Sequence, residues 1–142
     1  MVVKIIIMIK FSQLRMGDYV IAHNEGDAVF GEVVALHASN KQACVDTGIQ
    51  DFWYNAHQLE AIPLTESTLV DFKFKKQVTE EGSVKYSKGA FRMMLPKENE
   101  FSKMEIWYRD EHRHIMEPIS VHQLQNHFYE MTKVYLDEKS FD

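Results

Sequence analysis

One cysteine, three prolines and six glycines are spread over 142 residues, so the chain has few means of stapling, stiffening or loosening its backbone. With Cys44 alone no intramolecular disulfide can form, and the expected compartment is a reducing, cytoplasmic one. Cys44 lies in Gln42-Ala43-Cys44-Val45, where no neighbour would lower a thiol pKa, so it reads as a buried structural thiol. No apolar run reaches bilayer length, because Lys4 and Lys10 bracket the stretch around Ile5-Ile6-Ile7, and no membrane association is expected. That stretch also lacks a basic segment before it and a small-residue cleavage site after it, which argues against a signal peptide. Residues 1–13 are read as an N-terminal extension or an added strand, with Met8 as an alternative start. Gly-x-Ser-x-Gly, His-Glu-x-x-His and a glycine-rich phosphate loop are all missing. No nucleophile–base pair can be named and no cofactor is implied, so a small enzyme ranks third among the functional readings.

What is present is ordinary for a globular chain, with 45% hydrophobic and 26% charged residues. The formal net charge is −5. Residues 1–62 carry four basic against seven acidic side chains, and residues 63–142 carry twelve against fourteen. General attraction to nucleic acid is therefore not expected, and any such binding must use a local basic face.

The pattern of apolar residues predicts an α+β protein. Residues 14–62 read as five short strands: 18–22, 28–36, 42–46, 50–54 and 60–62. Tight turns separate them, and a 3₁₀ turn at 55–58 precedes the last. This is the signature of a small β-barrel subdomain of the Src-homology-3 or Tudor type, with Gly31 and Gly48 at bends or turns. Residues 63–142 read as an α+β subdomain. A short helix over 66–72, with Thr65 as N-cap, leads into strands at 74–78, 84–86, 91–95, 104–108 and 113–116. Arg109-Asp110-Glu111-His112-Arg113 reads as a solvated turn. A C-terminal packing helix follows Pro118 and Ser120, with Val121, Leu124, Phe128, Met131 and Tyr135 on one apolar face. Phe128, at the middle of the stripe, is expected to be its most buried member.

Three segments carry a resemblance: Leu14-Arg15-Met16-Gly17-Asp18-Tyr19-Val20, Ile62-Pro63-Leu64-Thr65-Glu66 and Val121-His122-Gln123-Leu124-Gln125-Asn126. Together the chain resembles a group of small uncharacterised proteins from Bacteroidetes genomes and their prophages. The resemblance implies no activity and favours a mobile-element origin. Members of that group often have Gly where this chain has Lys73, so a different turn is expected at the end of the short helix.

Four groups of residues are candidates for function. Trp53 and Tyr19 are aromatic residues on the first set of strands, where they would line a partner groove. His122, Gln125 and Asn126 form an amide-rich helical patch, suited either to a partner or to the chain's own backbone. Lys73, Lys75, Lys76, Lys85, Lys88 and Arg92 cluster around Phe74, Tyr86 and Phe91, as a surface for single-stranded nucleic acid would. His112, His114 and His122 offer three imidazoles, but Arg113 would oppose a cation and no fixed ligand spacing supports a site, so no metal is expected. The leading reading is a non-enzymatic binding or adaptor protein with a protein partner. The alternative is an accessory protein that binds nucleic acid weakly through its basic hairpin.

Overall fold

The structure is a computed structural model, and it describes residues 7–138. Residues 1–6, and with them most of the apolar N-terminal stretch, lie outside the described residues. The protein is α+β, and the described residues form two antiparallel five-stranded sheets and two α-helices. It divides into two compact units, 1–62 with 121–126, and 63–120 with 127–142.

The first unit is built on β1 (Tyr19–Asn24), β2 (Asp27–His37), β3 (Gln42–Asp46), β4 (Asp51–Asn55) and β5 (Leu59–Glu60). Their order in the sheet is β4-β3-β2-β1-β5. No closed barrel is found among the described residues, where β4 and β5 are the first and last strands of the sheet. The core gathers one side of each strand, including Val20, Val33, Val45, Tyr54 and Leu59. Ile9 joins that core, and Met8 bridges to Glu60.

Gly31 sits within β2 rather than at a turn. A Cβ there would collide with Val45 Cγ1 and come within 2.9 Å of the Asp46 carbonyl oxygen, so glycine is required by the close approach of β3. The irregularity in β2 comes just after it, where the register shifts between Val33 and Ala35.

The second unit begins with helix α1 (Glu66–Asp71). Thr65 takes the N-cap position, but its hydroxyl makes no capping hydrogen bond to backbone. Lys73 ends this helix at φ 69°. The Lys73 N–H donates to Val70 O, and the Phe74 N–H to Leu69 O, which is the left-handed stop usually given to glycine. The different turn expected at Lys73 is thus not seen. Burial of Leu69, Phe72 and Phe74 accompanies the strained lysine.

The strands that follow are β6 (Lys75–Val78), β7 (Val84–Lys88), β8 (Phe91–Leu95), β9 (Met104–Tyr108) and β10 (Glu111–Ile115). They form a meander in the order β10-β9-β8-β7-β6. The solvated turn read at 109–113 shrinks to Arg109 and Asp110, with Arg109 at φ 55°, and β10 starts at Glu111.

Helix α2 (Val121–Thr132) is the last regular element among the described residues, and none of the described helices is long and apolar enough to cross a membrane. Val121 and Leu124 are buried in the part of α2 that belongs to the first unit. Phe128 and Met131 are buried in the second, where Phe128 packs on Phe91 with ring centroids 4.8 Å apart. Two details of the expected stripe are corrected. Leu124, at 0% exposure, is more buried than Phe128 at 6%. Tyr135 is half exposed, because the helix stops at Lys133 (φ 63°), and its ring stacks on Tyr129 instead.

Candidate functional site

Strands β7, β8 and β9 alternate between two environments. Val84, Tyr86, Lys88, Phe91, Met93, Leu95, Met104 and Ile106 point to the buried side. Lys85, Ser87, Arg92, Met94, Glu105 and Trp107 point to the other. Residues directly opposite across an antiparallel ladder share a face, so the register aligns the outer residues in rows. One row is Lys75, Ser87, Arg92, Trp107 and His112, each opposite the next across all five strands. The adjoining row is Gln77, Lys85, Met94, Glu105 and His114. At roughly 4.8 Å between strands, a five-member row spans about 19 Å.

The first row thus runs cation, hydroxyl, cation, indole, imidazole. The Trp107 and His112 rings are parallel, with centroids 4.7 Å apart and an interplanar angle of 1°. The His114 ring lies 4.5 Å from that of His112. His114 Nδ1 is 3.0 Å from Glu105 Oε1, and His112 Nε2 is 3.8 Å from the same oxygen. A cleft of about 300 Å³ adjoins this end of the face, lined by Ser83, Met94, Met104, Glu105, His114 and Met116 among others.

The basic cluster expected from sequence is only partly on this face. Lys75, Lys85 and Arg92 are. Lys76 alternates to the opposite side, where its Nζ lies 2.6 Å from both the Glu66 and the Glu98 carboxylates. Those hydrogen bonds raise the Lys76 pKa, and Lys76 together with Tyr86 lowers that of Glu66. Burial, with help from Glu66, pushes the Tyr86 hydroxyl up to about 12. Lys88 is buried and donates from Nζ to the Phe72 carbonyl at 2.6 Å, so it caps backbone rather than meeting solvent. Lys73 is exposed at the helix stop. The alternation of lysine with apolar residues was visible in sequence, but the buried, hydrogen-bonded lysine was not.

The other candidates lie in the first unit. Tyr19 is buried and meets Phe30 edge-on at 5.1 Å, whereas Trp53 is half exposed against His37 at 6.3 Å. Tyr19 is thus covered, while the Trp53 ring meets solvent. Gln125 is buried: its Oε1 accepts from the Tyr19 N–H at 2.8 Å and its Nε2 donates to Gly17 O at 2.9 Å. Asn126 Nδ2 donates to Gln13 O at 2.7 Å. His122 is 2% exposed, and burial lowers its pKa to about 4, which keeps the imidazole neutral. Gln125 and Asn126 thus bond the chain's own backbone.

Cys44 is buried, as its apolar surroundings in the sequence suggest. Burial and the Asp51 carboxylate, 3.7 Å from Sγ, push its thiol pKa up. Sequence reasoning passed over Glu105 and Trp107. The signal that would have found them is the alternation of Met104–Tyr108 set opposite His112 and His114.

Comparison with known proteins finds no matching family model, no matching curated protein and no matching solved structure.

Proposed function

We propose that the protein is a non-enzymatic binding protein whose outer second-sheet face takes up single-stranded nucleic acid. The row Lys75-Ser87-Arg92-Trp107-His112 carries this reading. Cations spaced along a strand-crossing row suit successive phosphates, and the indole–imidazole end suits base stacking. The net charge of −5 opposes association, so affinity is modest and falls steeply with salt. Fluorescence anisotropy with a labelled oligothymidylate at two salt concentrations tests it. Binding at low salt that weakens at high salt, and again in Arg92→Glu, is the expected result. No binding at low salt, or binding indifferent to Arg92→Glu, would sink the reading.

A protein partner is the second reading, and the first sheet favours it. Phe30, Phe52 and Trp53 are each more than 40% exposed there, and Ile49 is 92% exposed. The order β5-β1-β2-β3-β4, the long irregular β2 and the 3₁₀ turn at Ala56–Gln58 support a Src-homology-3-like relationship for this sheet. A cytoplasmic adaptor of mobile-element origin fits that second reading. Loss of a captured interaction in Trp53→Ala but not in Arg92→Glu would favour it over the first.

A further inference from the structure

We propose that Glu105, His112 and His114 form a site for one divalent cation of the zinc class. The inference is independent of nucleic-acid binding, and it reverses the expectation from sequence that no metal is held. Two imidazoles on alternate residues of β10 face the same side, and Glu105 stands directly opposite His114. One donor atom from each residue lies within 4.8 Å of the others. Ligands on a tetrahedral zinc, at bonds of about 2.1 Å, stand about 3.4 Å apart. The Glu105–His114 and Glu105–His112 separations of 3.0 and 3.8 Å bracket that figure. All three side chains are at least a third exposed, so small rotations are open to them.

The electrostatic objection raised by Arg113 disappears in the fold. Arg113 is one residue out of phase and points to the other face of β10. Its guanidinium there lies 2.7 Å from the Glu111 carboxylate, 2.7 Å from Glu130 and 2.8 Å from His127 Nδ1. His122 takes no part, since it is buried in the first unit.

The donor set selects the metal. Imidazole nitrogen suits zinc and nickel, whereas magnesium and calcium prefer oxygen ligands throughout. Three protein ligands leave a coordination position for water or a small ligand. Glu105 and His114 also line the apolar cleft of about 300 Å³, so a molecule held in the cleft would sit beside the metal. The Trp107 ring stacked on His112 supplies a built-in reporter.

The test uses tag-free, chelator-stripped full-length protein and no oligonucleotide. Calorimetric titration with zinc chloride is expected to show one equivalent bound. The double variant His112→Ala/His114→Ala should lose that transition, and His57→Ala should retain it. In Trp53→Phe, which leaves Trp107 as the sole indole, nickel chloride should quench fluorescence saturably and magnesium chloride should not. The quench needs no change at the site, so it remains decisive if the double variant folds poorly. Absence of a one-equivalent transition, its persistence in the double variant, or an unquenched Trp107 would each overturn the proposal. Those three residues would then be a surface hydrogen-bond network and nothing more.

Discussion

The two five-stranded sheets share an antiparallel build and differ in what they show on their outer faces. In the first, the register sets Glu32, Asp46 and Asp51 in one row across β2 to β4, continued on β1 by the buried Tyr19. In the second, the corresponding row is Lys75, Ser87, Arg92, Trp107 and His112. Both halves of the sequence are acidic in sum, with four basic against seven acidic residues and twelve against fourteen. Net charge therefore misses the contrast, because a sum does not say which charges share a face. In the second unit Lys76, Lys88 and Arg113 bond within the fold on the other side of the pleat, while alternation directs Lys75, Lys85 and Arg92 to the outer face.

The largest effect is expected in the second unit's core. Phe128→Ala removes a ring packed on Phe91 and should cost about 3–5 kcal/mol, read as a lower midpoint in urea or heat. A wild-type melt would show that this sheet does not depend on α2.

The first unit offers a pH-dependent counterpart. Asp18 is 2% exposed, and burial raises its pKa to about 7, against the lowering effects of the Arg15 N–H and Asn126 hydrogen bonds. A carboxyl with a raised folded pKa contributes stability that is complete below its unfolded value of 3.8 and lost as pH rises through about 7. The change amounts to at most about 4 kcal/mol. Asp18→Asn should be more stable than wild type at pH 8, with a flatter profile between pH 4 and 7. His122 works in the opposite direction: its stability is present above the unfolded value of 6.5 and is lost as pH falls through about 4. An unchanged slope between pH 4 and 7 in Asp18→Asn would count against the buried carboxyl.

A smaller loss is expected from Gln125→Ala, which strips the Tyr19 N–H and the Gly17 carbonyl of a buried partner at about 1–3 kcal/mol. Stability should fall while oligonucleotide and zinc binding stay unchanged. Loss of binding without loss of stability would return this amide to a recognition role.

The finest test sets the two outer faces against each other. Lys85→Glu with Arg92→Glu should reduce the magnitude of the salt slope of oligonucleotide binding by about 1.4, at about 0.7 per phosphate contact on a single strand. Glu32→Lys with Asp46→Lys should leave that slope alone. Equal slopes for the two pairs would erase the distinction between the sheets.

Much of the secondary structure was legible. Gln42–Asp46, Phe91–Leu95 and Met104–Tyr108 appear at the bounds that the apolar alternation indicates, and α1 falls one residue short of its expected end. The candidate face was legible only in fragments. In the sequence Lys75, Lys85, Arg92, His112 and His114 read as a basic hairpin and a separate polar turn. A charged run such as Arg109-Asp110-Glu111-His112-Arg113 carries no strong periodic signal, so the two-residue turn and the strand after it were merged.

By itself the sequence determined the α+β class, the alternation that gives each strand a buried side, and the apolar stripe of α2. These are local consequences of side-chain period and turn chemistry, which need no knowledge of distant partners. Tertiary structure alone decided which strands are neighbours and in what register. That choice brings Glu105 opposite His114, sends Gln125 to the backbone at Tyr19, and takes Lys88 out of the basic patch. Register and burial arise from contacts between residues far apart in the chain, where a shift of one residue moves every side chain to the other face.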